Sequence, residues 1–547
     1  MIRQGKWYES AWAHTLLLVC AVAALYGQFL WNPLVFDDRD FFLLDFSGKA
    51  PVSTYQFSWL KLRALPYETL ALTWEWLGRD LIYFRIGNLI LHAATVIALY
   101  FLLAKLFSTV YGKGQGSALS PRAAAFFAAL LFALHPVAVY AAGYLVQRST
   151  VMATLFALLA LLAYVHGSLR ASRFWLWACV PLYYLSVLSK EHAIMLPAAL
   201  LALTVLLHDD WPTKIRQRWG VFAFLAGIAA WVLLTKANLI GAVYEPKASE
   251  ILQQVKLDHI YLLSVLTQTF LFFKYALLWL FPNPAWMSVD MREPFAASLL
   301  SPYWVAAIAY LAWGAVAAWL LLKRGRAGLL GFALLFPWLM FWTEFAAVRI
   351  QEPFVLYRSY LWAVGAFCLL PLLFERCNGR LAIFILSAVV LAMFPVSMER
   401  LVTFSNSILL WDDAKKLVVD RSGLLGTSRI YYNLGTAYLK MDFVNPALSN
   451  LEKAVSLQED SGEAHANYAY ALAKAKRWEE SAAEYNQAIG IFIKKGLPPQ
   501  WKYFYGRAEA YEKMGNVQAA EADYRVSCVL VGKGCTKLPH ADQLPKK

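Results

Sequence analysis

Apolar runs of about twenty residues, separated by short polar turns, recur from residue 12 to residue 397 and then stop. A helix needs about 20 apolar residues to cross a bilayer, and basic turns mark the inner side. On that rule the pattern predicts spans over 12–31, 81–107, 122–140, 149–167, 173–189, 193–208, 219–237, 302–322, 327–343, 354–374 and 380–397. The turns expected inside hold Lys105, Lys113 and Arg122; Arg170 and Arg173; Lys214, Arg216 and Arg218; Lys323, Arg324 and Arg326; and Arg376 and Arg380. Residues 258–281 are apolar enough to span, but a crossing there would turn the later basic loops outward. The segment is therefore read as re-entrant or lying against the bundle on its outer side. Arg3 and Lys6 ahead of the first span, with no small-residue cleavage pattern after it, read as a signal anchor with the N-terminus inside. About eleven crossings then put the tail and the two long loops, 32–80 and 238–301, on the outer face. The first loop mixes Trp59, Leu60, Leu62, Leu65 and Leu70 with Lys61, Arg63 and Glu68, which suggests interfacial amphipathic helices.

From about residue 428 the pattern changes to helical periodicity with a repeat near 34 residues, the tetratricopeptide period. Tyr431, Leu434, Gly435, Tyr438, Ala447, Leu451 and Ala454 occupy the packing positions of a first copy. His465, Tyr468, Ala469, Leu472, Ser481, Tyr485 and Ala488 occupy them in a second. A third, set off by Gly496, Leu497, Pro498 and Pro499, offers Phe504, Ala508, Tyr511, Ala520 and Tyr524. The expected organisation is all-α: a polytopic membrane domain over 1–400 with about 11 transmembrane helices, a linker helix over 401–427, and a TPR solenoid of about three repeats over 428–547. Such solenoids present concave surfaces that bind peptides, so a protein acceptor is expected there, with residues unknown.

Composition agrees with a membrane protein: 60% of the 547 residues are hydrophobic and 16% charged, too little polar surface for a soluble globule. The formal charge of +14 is scattered among apolar spans and reads as loop bias toward the inner side; nucleic acid is not an expected partner. Among the six cysteines there is neither a CxxC nor a zinc spacing. Cys528 and Cys535 could pair as a disulfide if the tail lies in an oxidising compartment.

The chemistry is sought in the outer loops. VFDDRDFF, Val35 to Phe42, places Asp37, Asp38 and Asp40 just past the first span. Crowded carboxylates at a membrane surface suit general-base work, a solvated loop or a cation site; Asp37 and Asp38 would be the metal ligands if a divalent metal is used. Gln147 and Arg148, Lys190 in LSKEHAIMLP, and Arg349 and Arg358 stand at the expected outer surface, where they could hold a lipid phosphate or pair with Glu344 and Glu352. His135 with Pro136 reads as a packing residue, and His92 with Asn88 as an interhelical clamp. Asp290 could be a second outer acid. A Walker loop, GxGxxG and GxSxG are all missing, which argues against a nucleotide-driven pump and a serine hydrolase.

The order VFDDRDFF, RALPYETLALTW (from Arg63), GNLILH (from Gly87), FALHP (from Phe132), Gln147 with Arg148, LSKEHAIMLP, DDWP (from Asp209), YLWAVGAF (from Tyr360) and NSILLWDDA (from Asn406) resembles the transmembrane-and-tetratricopeptide O-mannosyltransferase-like proteins and their bacterial relatives, of the GT-C class. The likeness runs over nearly the whole chain. It implies an inverting transfer of a sugar from a polyprenyl-phosphate carrier to a hydroxyl acceptor on the outer, periplasmic side of a bacterial inner membrane, with Asp38 or Asp37 as base and Asp40 supporting. It implies Arg148 and Lys190 as phosphate-holding cations. No cofactor beyond the lipid-linked donor is expected with certainty, and membrane lipids surround the spans. The chain departs from the family at Tyr140, where a glutamate is usual, and at Leu356 and Tyr357, where an acidic pair is usual with Arg358 displaced by one. Two rivals stand beside transfer to the Ser or Thr of an exported protein: modification of a glycolipid or lipid A, and a membrane-anchored TPR scaffold without enzymatic activity.

Overall fold

The computed structural model describes residues 10–43, 50–112, 118–245, 247–255 and 257–538. Arg3, Lys6 and Lys113, expected as inner charges, fall outside them. All described regular structure is helical apart from one isolated antiparallel bridge between Met291 and Phe354. The chain separates into two units, 1–406 and 407–547.

The first unit contains α1 (Ala11–Tyr26), α2 (Asp38–Phe42), α3 (Ala64–Leu77), α4 (Leu81–Tyr111), α5 (Pro121–Ala133), α6 (Pro136–Ala142), α7 (Arg148–Arg170), α8 (Arg173–Ser189) and α9 (Leu196–Leu207). It continues with α10 (Trp211–Gln217), α11 (Trp219–Thr235), α12 (Ala248–Gln254), α13 (Ile260–Leu280), α14 (Tyr303–Leu322), α15 (Gly325–Phe341), α16 (Ala363–Ala366), α17 (Leu370–Leu373) and α18 (Gly379–Thr403). Seven helical segments are long and apolar enough to cross a membrane, or nine if each of two bent pairs is one span. The protein is therefore multi-pass. Its spans number seven to nine by this measure, against the expected eleven.

The differences have local causes. Residues 354–374 break into short turns and helices; the apolar piece Ala363–Leu373 would reach only about half of a 30 Å hydrocarbon core at 1.5 Å per residue. The segment is drawn inward because Arg358 is buried against Glu344 at 3.0 Å. Residues 173–189 and 193–208 form helices of 17 and 12 residues. The segment expected to be re-entrant or to lie against the bundle is one uninterrupted 21-residue helix, α13, which leaves the second of these. Where the pattern predicts one span over 122–140, α5 and α6 meet at 65°. Pro136 carries no N–H and disfavours helical backbone at the residue before it. His135 accordingly turns extended and caps α6, its Nδ1 accepting the Val137 N–H at 3.2 Å.

The two ends of α7 separate two polar regions. At its start lies Arg148. At its end, Arg218 donates to Tyr164 Oη at 3.1 Å and to Ser168 Oγ at 2.6 Å, and Lys105 meets His166 at 2.8 Å. Tyr164, His166 and Ser168 follow Arg148 by 16 to 20 residues, which at 1.5 Å each puts the two regions roughly 24–30 Å apart.

In the second unit, α19 (Ser407–Lys416) packs on α20 (Ser428–Lys440), so the expected linker 401–427 is divided between the end of α18, this helix and an irregular stretch. Three helix pairs follow: α20 with α21 (Val444–Leu457), α22 (Gly462–Lys474) with α23 (Trp478–Lys494), and α24 (Trp501–Lys513) with α25 (Val517–Val531), each pair packed on the next. The turns of the first two pairs place Asp442 and Lys476, 34 residues apart, in left-handed backbone. Ala447, Leu451, Ala469, Leu472, Ala488 and Ala508 are fully buried between these helices. Cys528 and Cys535 are joined by a disulfide.

Helix crossings depend on glycine where backbones nearly touch. A Cβ on Gly331 of α15 would lie 2.2 Å from Leu321 N and 2.7 Å from Ala317 O of α14, and neither backbone atom can move alone. Gly331→Ala is expected to cost about 1–3 kcal/mol, read as a lower melting temperature of the purified protein. Gly227→Ala, which meets nothing within 4 Å, should leave it unchanged.

Candidate active site

The VFDDRDFF stretch makes a tight turn into α2. Phe36 stands at φ +49°, a backbone state that costs a bulky residue about 1–3 kcal/mol unless its surroundings impose it. They do so through three hydrogen bonds. Val146 N–H donates to Asp38 Oδ1 at 2.9 Å, Val35 N–H to Asp38 Oδ2 at 3.5 Å, and Asp37 N–H to Tyr144 Oη at 2.9 Å. Asp38 is thereby sealed inside at 0% exposure and its carboxylate ties the turn to the segment before α7. Burial pushes its carboxyl up to about 7, against the pull of Arg85 and the two N–H donors. Its neighbour Asp37 is partly exposed and lines a cavity.

That cavity, of about 370 Å³, is built at one end of the bundle by the turn, the start of α7, the α8–α9 junction, and the loops before α12 and after α15. Its acids are Asp37, Asp40 and Glu352, and its cations are Arg63, Lys190, Arg349 and Arg358. Tyr67, Tyr244, Tyr357 and Gln147 complete much of the wall. Lys190 is presented where α8 ends: its backbone swings to extended geometry, and its Nζ donates to Gln147 Oε1 at 3.1 Å and Thr150 Oγ1 at 2.7 Å. It also lies 4.8 Å from the centre of the Tyr357 ring. Burial and then the charge of Arg63 hold its ammonium well below the usual lysine range, so an anion entering the cavity would favour its protonated form. Arg63, at φ +63°, forms a two-pronged pair with Glu191. Burial would raise the Glu191 carboxyl, but Arg63 holds it well below its usual range.

A buried carboxylate, Glu344, organises the other two cations. Arg358 Nη1 donates to its Oε2 at 3.0 Å, Arg349 Nε stands 3.6 Å from the same oxygen, and His192 Nε2 stands 3.3 Å from Oε1. Arg349 also donates to Tyr244 Oη, and Arg358 Nη1 to the Glu352 carbonyl at 3.1 Å. Glu245 holds the Arg349 loop by accepting the N–H groups of Ile350 and Gln351 at 3.1 and 2.7 Å.

Of the residues singled out from sequence, Asp37, Asp40, Arg63, Gln147, Lys190, Arg349 and Arg358 line this one cavity. Asp38 does not; it fixes the backbone beside it. Arg148 is absent from the lining as well. Its guanidinium is spent on the fold, donating to Asn88 Oδ1 at 2.6 Å, Phe84 O at 2.7 Å and Thr69 Oγ1 at 3.2 Å. It lies so close to α4 that a Cβ on Gly87 would sit 2.8 Å from Nη2. His135 stacks on Trp279 at 4.3 Å and bonds its carbonyl at 3.0 Å. Tyr140 packs on Phe404, and Asp290 is buried against Arg292 at 2.6 Å. His92 is the expected clamp, bridging Tyr360 Oη at 2.6 Å and Ala133 O at 3.1 Å. Glu191, His192 and Tyr244 are not among the residues expected from sequence, and Tyr357 is marked there only as a departure from the family. The first two adjoin Lys190 in LSKEHAIMLP; Tyr244 sits in a long loop whose pattern carries no signal. No group of three or more His, Cys, Asp or Glu among the described residues could hold a metal ion, and the cavity's cations outnumber its acids. The lining does not fit a divalent metal, and no step is routed through one.

Two outcomes follow. Asp38 gains a proton on folding, because its carboxyl is raised from the unfolded value near 3.8 to about 7. Its contribution to stability is therefore fully present below about pH 4 and is lost as pH rises through 7, on the order of 4 kcal/mol in all. Wild type should melt at lower temperature at pH 8 than at pH 5, and Asp38→Asn should flatten that slope; equal slopes would refute the assignment. Arg148→Ala should lower stability by about 3 kcal/mol or more, since it strands buried partners, and heating the purified variant checks this.

No family model matches the chain. Over 338 residues, 57% of its length, it is 27% identical to the mouse (Mus musculus) protein named protein O-mannosyl-transferase TMTC4. The match spans 40% of that protein, less than half its length. The chain is thus a multi-pass membrane protein with a distant similarity to a protein O-mannosyl-transferase.

Proposed function

We propose that this protein is an inverting membrane glycosyltransferase that moves a sugar from a polyprenyl-phosphate carrier to a hydroxyl, the Ser or Thr side chain of an exported protein. The observation that carries the proposal is the single cavity in which a partly exposed carboxylate, Asp37, faces Lys190, Arg63, Arg349 and Arg358. The distant similarity to a protein O-mannosyl-transferase supports it.

In this reading Asp37 accepts the proton of the acceptor O–H as that oxygen attacks the anomeric carbon. The bond from that carbon to the phosphate oxygen breaks, and polyprenyl phosphate leaves. A phosphodiester with one negative charge becomes a monoester approaching two, so the cations are worth more in the transition state than in the ground state. The leaving phosphate needs no proton. Asp38 is a positioning residue that sets the Asp37 backbone, which moves the base assignment from the second aspartate to the first.

Orientation follows from charge. Lys105, Arg122, Arg170, Lys214, Arg216, Arg324 and Arg326 belong to helix ends remote from the cavity, and the positive-inside rule assigns that end to the cytoplasm. The cavity then opens to the periplasm or its equivalent. The Cys528–Cys535 disulfide supports the same side for the tail. The stacked helix pairs are read as tetratricopeptide-like repeats that bring the protein acceptor.

With purified protein and a polyprenyl-phosphate sugar, Asp37→Asn should lower the rate of transfer by roughly 100- to 10,000-fold while leaving the melting temperature near wild type. Lys190→Ala should lower kcat more than it raises KM for the lipid donor. Full activity in Asp37→Asn would reject Asp37 as the base, and transfer to a glycolipid in preference to protein would reject the acceptor class.

A further inference from the structure

At the end of the bundle remote from the cavity, a groove of about 620 Å³ runs among α1, α4, α5, α7 and α8. Its walls are largely apolar, with Phe101, Leu159 and Trp175 among them, and its polar residues include Lys105, Arg122 and His166. Among the described residues no Asp or Glu lines it. Arg170 stands close enough to act electrostatically on both Lys105 and His166.

Three of the other basic residues at this end are matched by carboxylates. Arg326 stands 3.6 Å from Glu375, Arg324 pairs with Asp209, and Lys214 stands 3.4 Å from Asp210. Lys105 instead meets an imidazole, His166 Nδ1, at 2.8 Å. A lysine ammonium only donates, so Nδ1 accepts and Nε2 carries the ring proton as a further donor. Lys105 is partly buried on a helix that passes through the bilayer, where an uncompensated cation is costly. No carboxylate among the described residues pairs with Lys105, and the apolar walls suit a countercharge that arrives attached to hydrocarbon.

We propose that this groove binds one anionic phospholipid of the surrounding bilayer, its headgroup phosphate held by Lys105, Arg122 and His166 and an acyl chain lying against α7 and α8. The site is separate from the transfer cavity and does not depend on the reaction assigned there. Lys and Arg give the charge, and Trp175, whose ring lies 5.1 Å from that of His166, gives the interfacial contact that aromatic residues make at headgroup depth.

Native mass spectrometry of the full-length protein tests this, after exchange into detergent with equal amounts of phosphatidylglycerol and phosphatidylcholine of the same acyl chains. Wild type should retain one phosphatidylglycerol with about tenfold or greater preference, since each basic residue near the headgroup is worth about fivefold. Arg122→Gln, at an exposed position, should lower the preference about fivefold, and Lys105→Gln with Arg122→Gln should abolish it. Lys105→Arg should keep it, as should the control Lys214→Gln with Arg216→Gln. Equal retention of both lipids by wild type would overturn the proposal. So would an equal loss in the control, or displacement of the lipid by millimolar inorganic phosphate.

Discussion

The membrane unit is held at its cavity end by one buried guanidinium. Arg148 opens α7 and ties that helix to α3 through Thr69 and to α4 through Phe84 and Asn88. A cation at 2% exposure persists only because its donors meet fixed oxygens. Asn88 in turn donates to the Leu145 carbonyl at 3.0 Å, which steadies the segment whose Val146 N–H grips Asp38. The turn bearing Asp37 is thus held through two linked sets of hydrogen bonds, and the Gly87 contact is the geometric condition for the first.

Charge is distributed along this end by depth. Arg148 and Asp38 are satisfied internally and serve the fold; Arg63, Arg349 and Arg358 are shared between a carboxylate and the cavity. Lys190 has hydroxyl and amide partners and an aromatic face, and its ammonium is the group an incoming anion would favour most. That gradient differs from a surface ion-pair network, in which each cation would be neutralised by its own acid. Glu344 offsets the charges of Arg349 and Arg358, two buried arginines that would otherwise repel one another.

The opposite end follows another rule. There Lys214, Arg324 and Arg326 find carboxylates within the chain. Lys105 meets His166 instead, beside a largely apolar groove.

Sequence by itself determined the helical class, the multi-pass character, the helix pairs of the tail and the polar residues gathered in the loops, because each is written in local periodicity or composition. Apolar periodicity reports only how far a helix could run. Whether 354–374 spans was decided by Arg358 being drawn onto Glu344, and whether 258–281 is continuous was decided by the packing of α13. Within the VFDDRDFF stretch, two adjacent aspartates are indistinguishable until the Tyr144 and Val146 contacts turn one inward and leave the other at the cavity. Arg148 and Lys190 likewise look alike along the chain. Only the tertiary structure gives the first three protein acceptors and places the second at the cavity wall, since burial and partner choice depend on residues far apart in sequence.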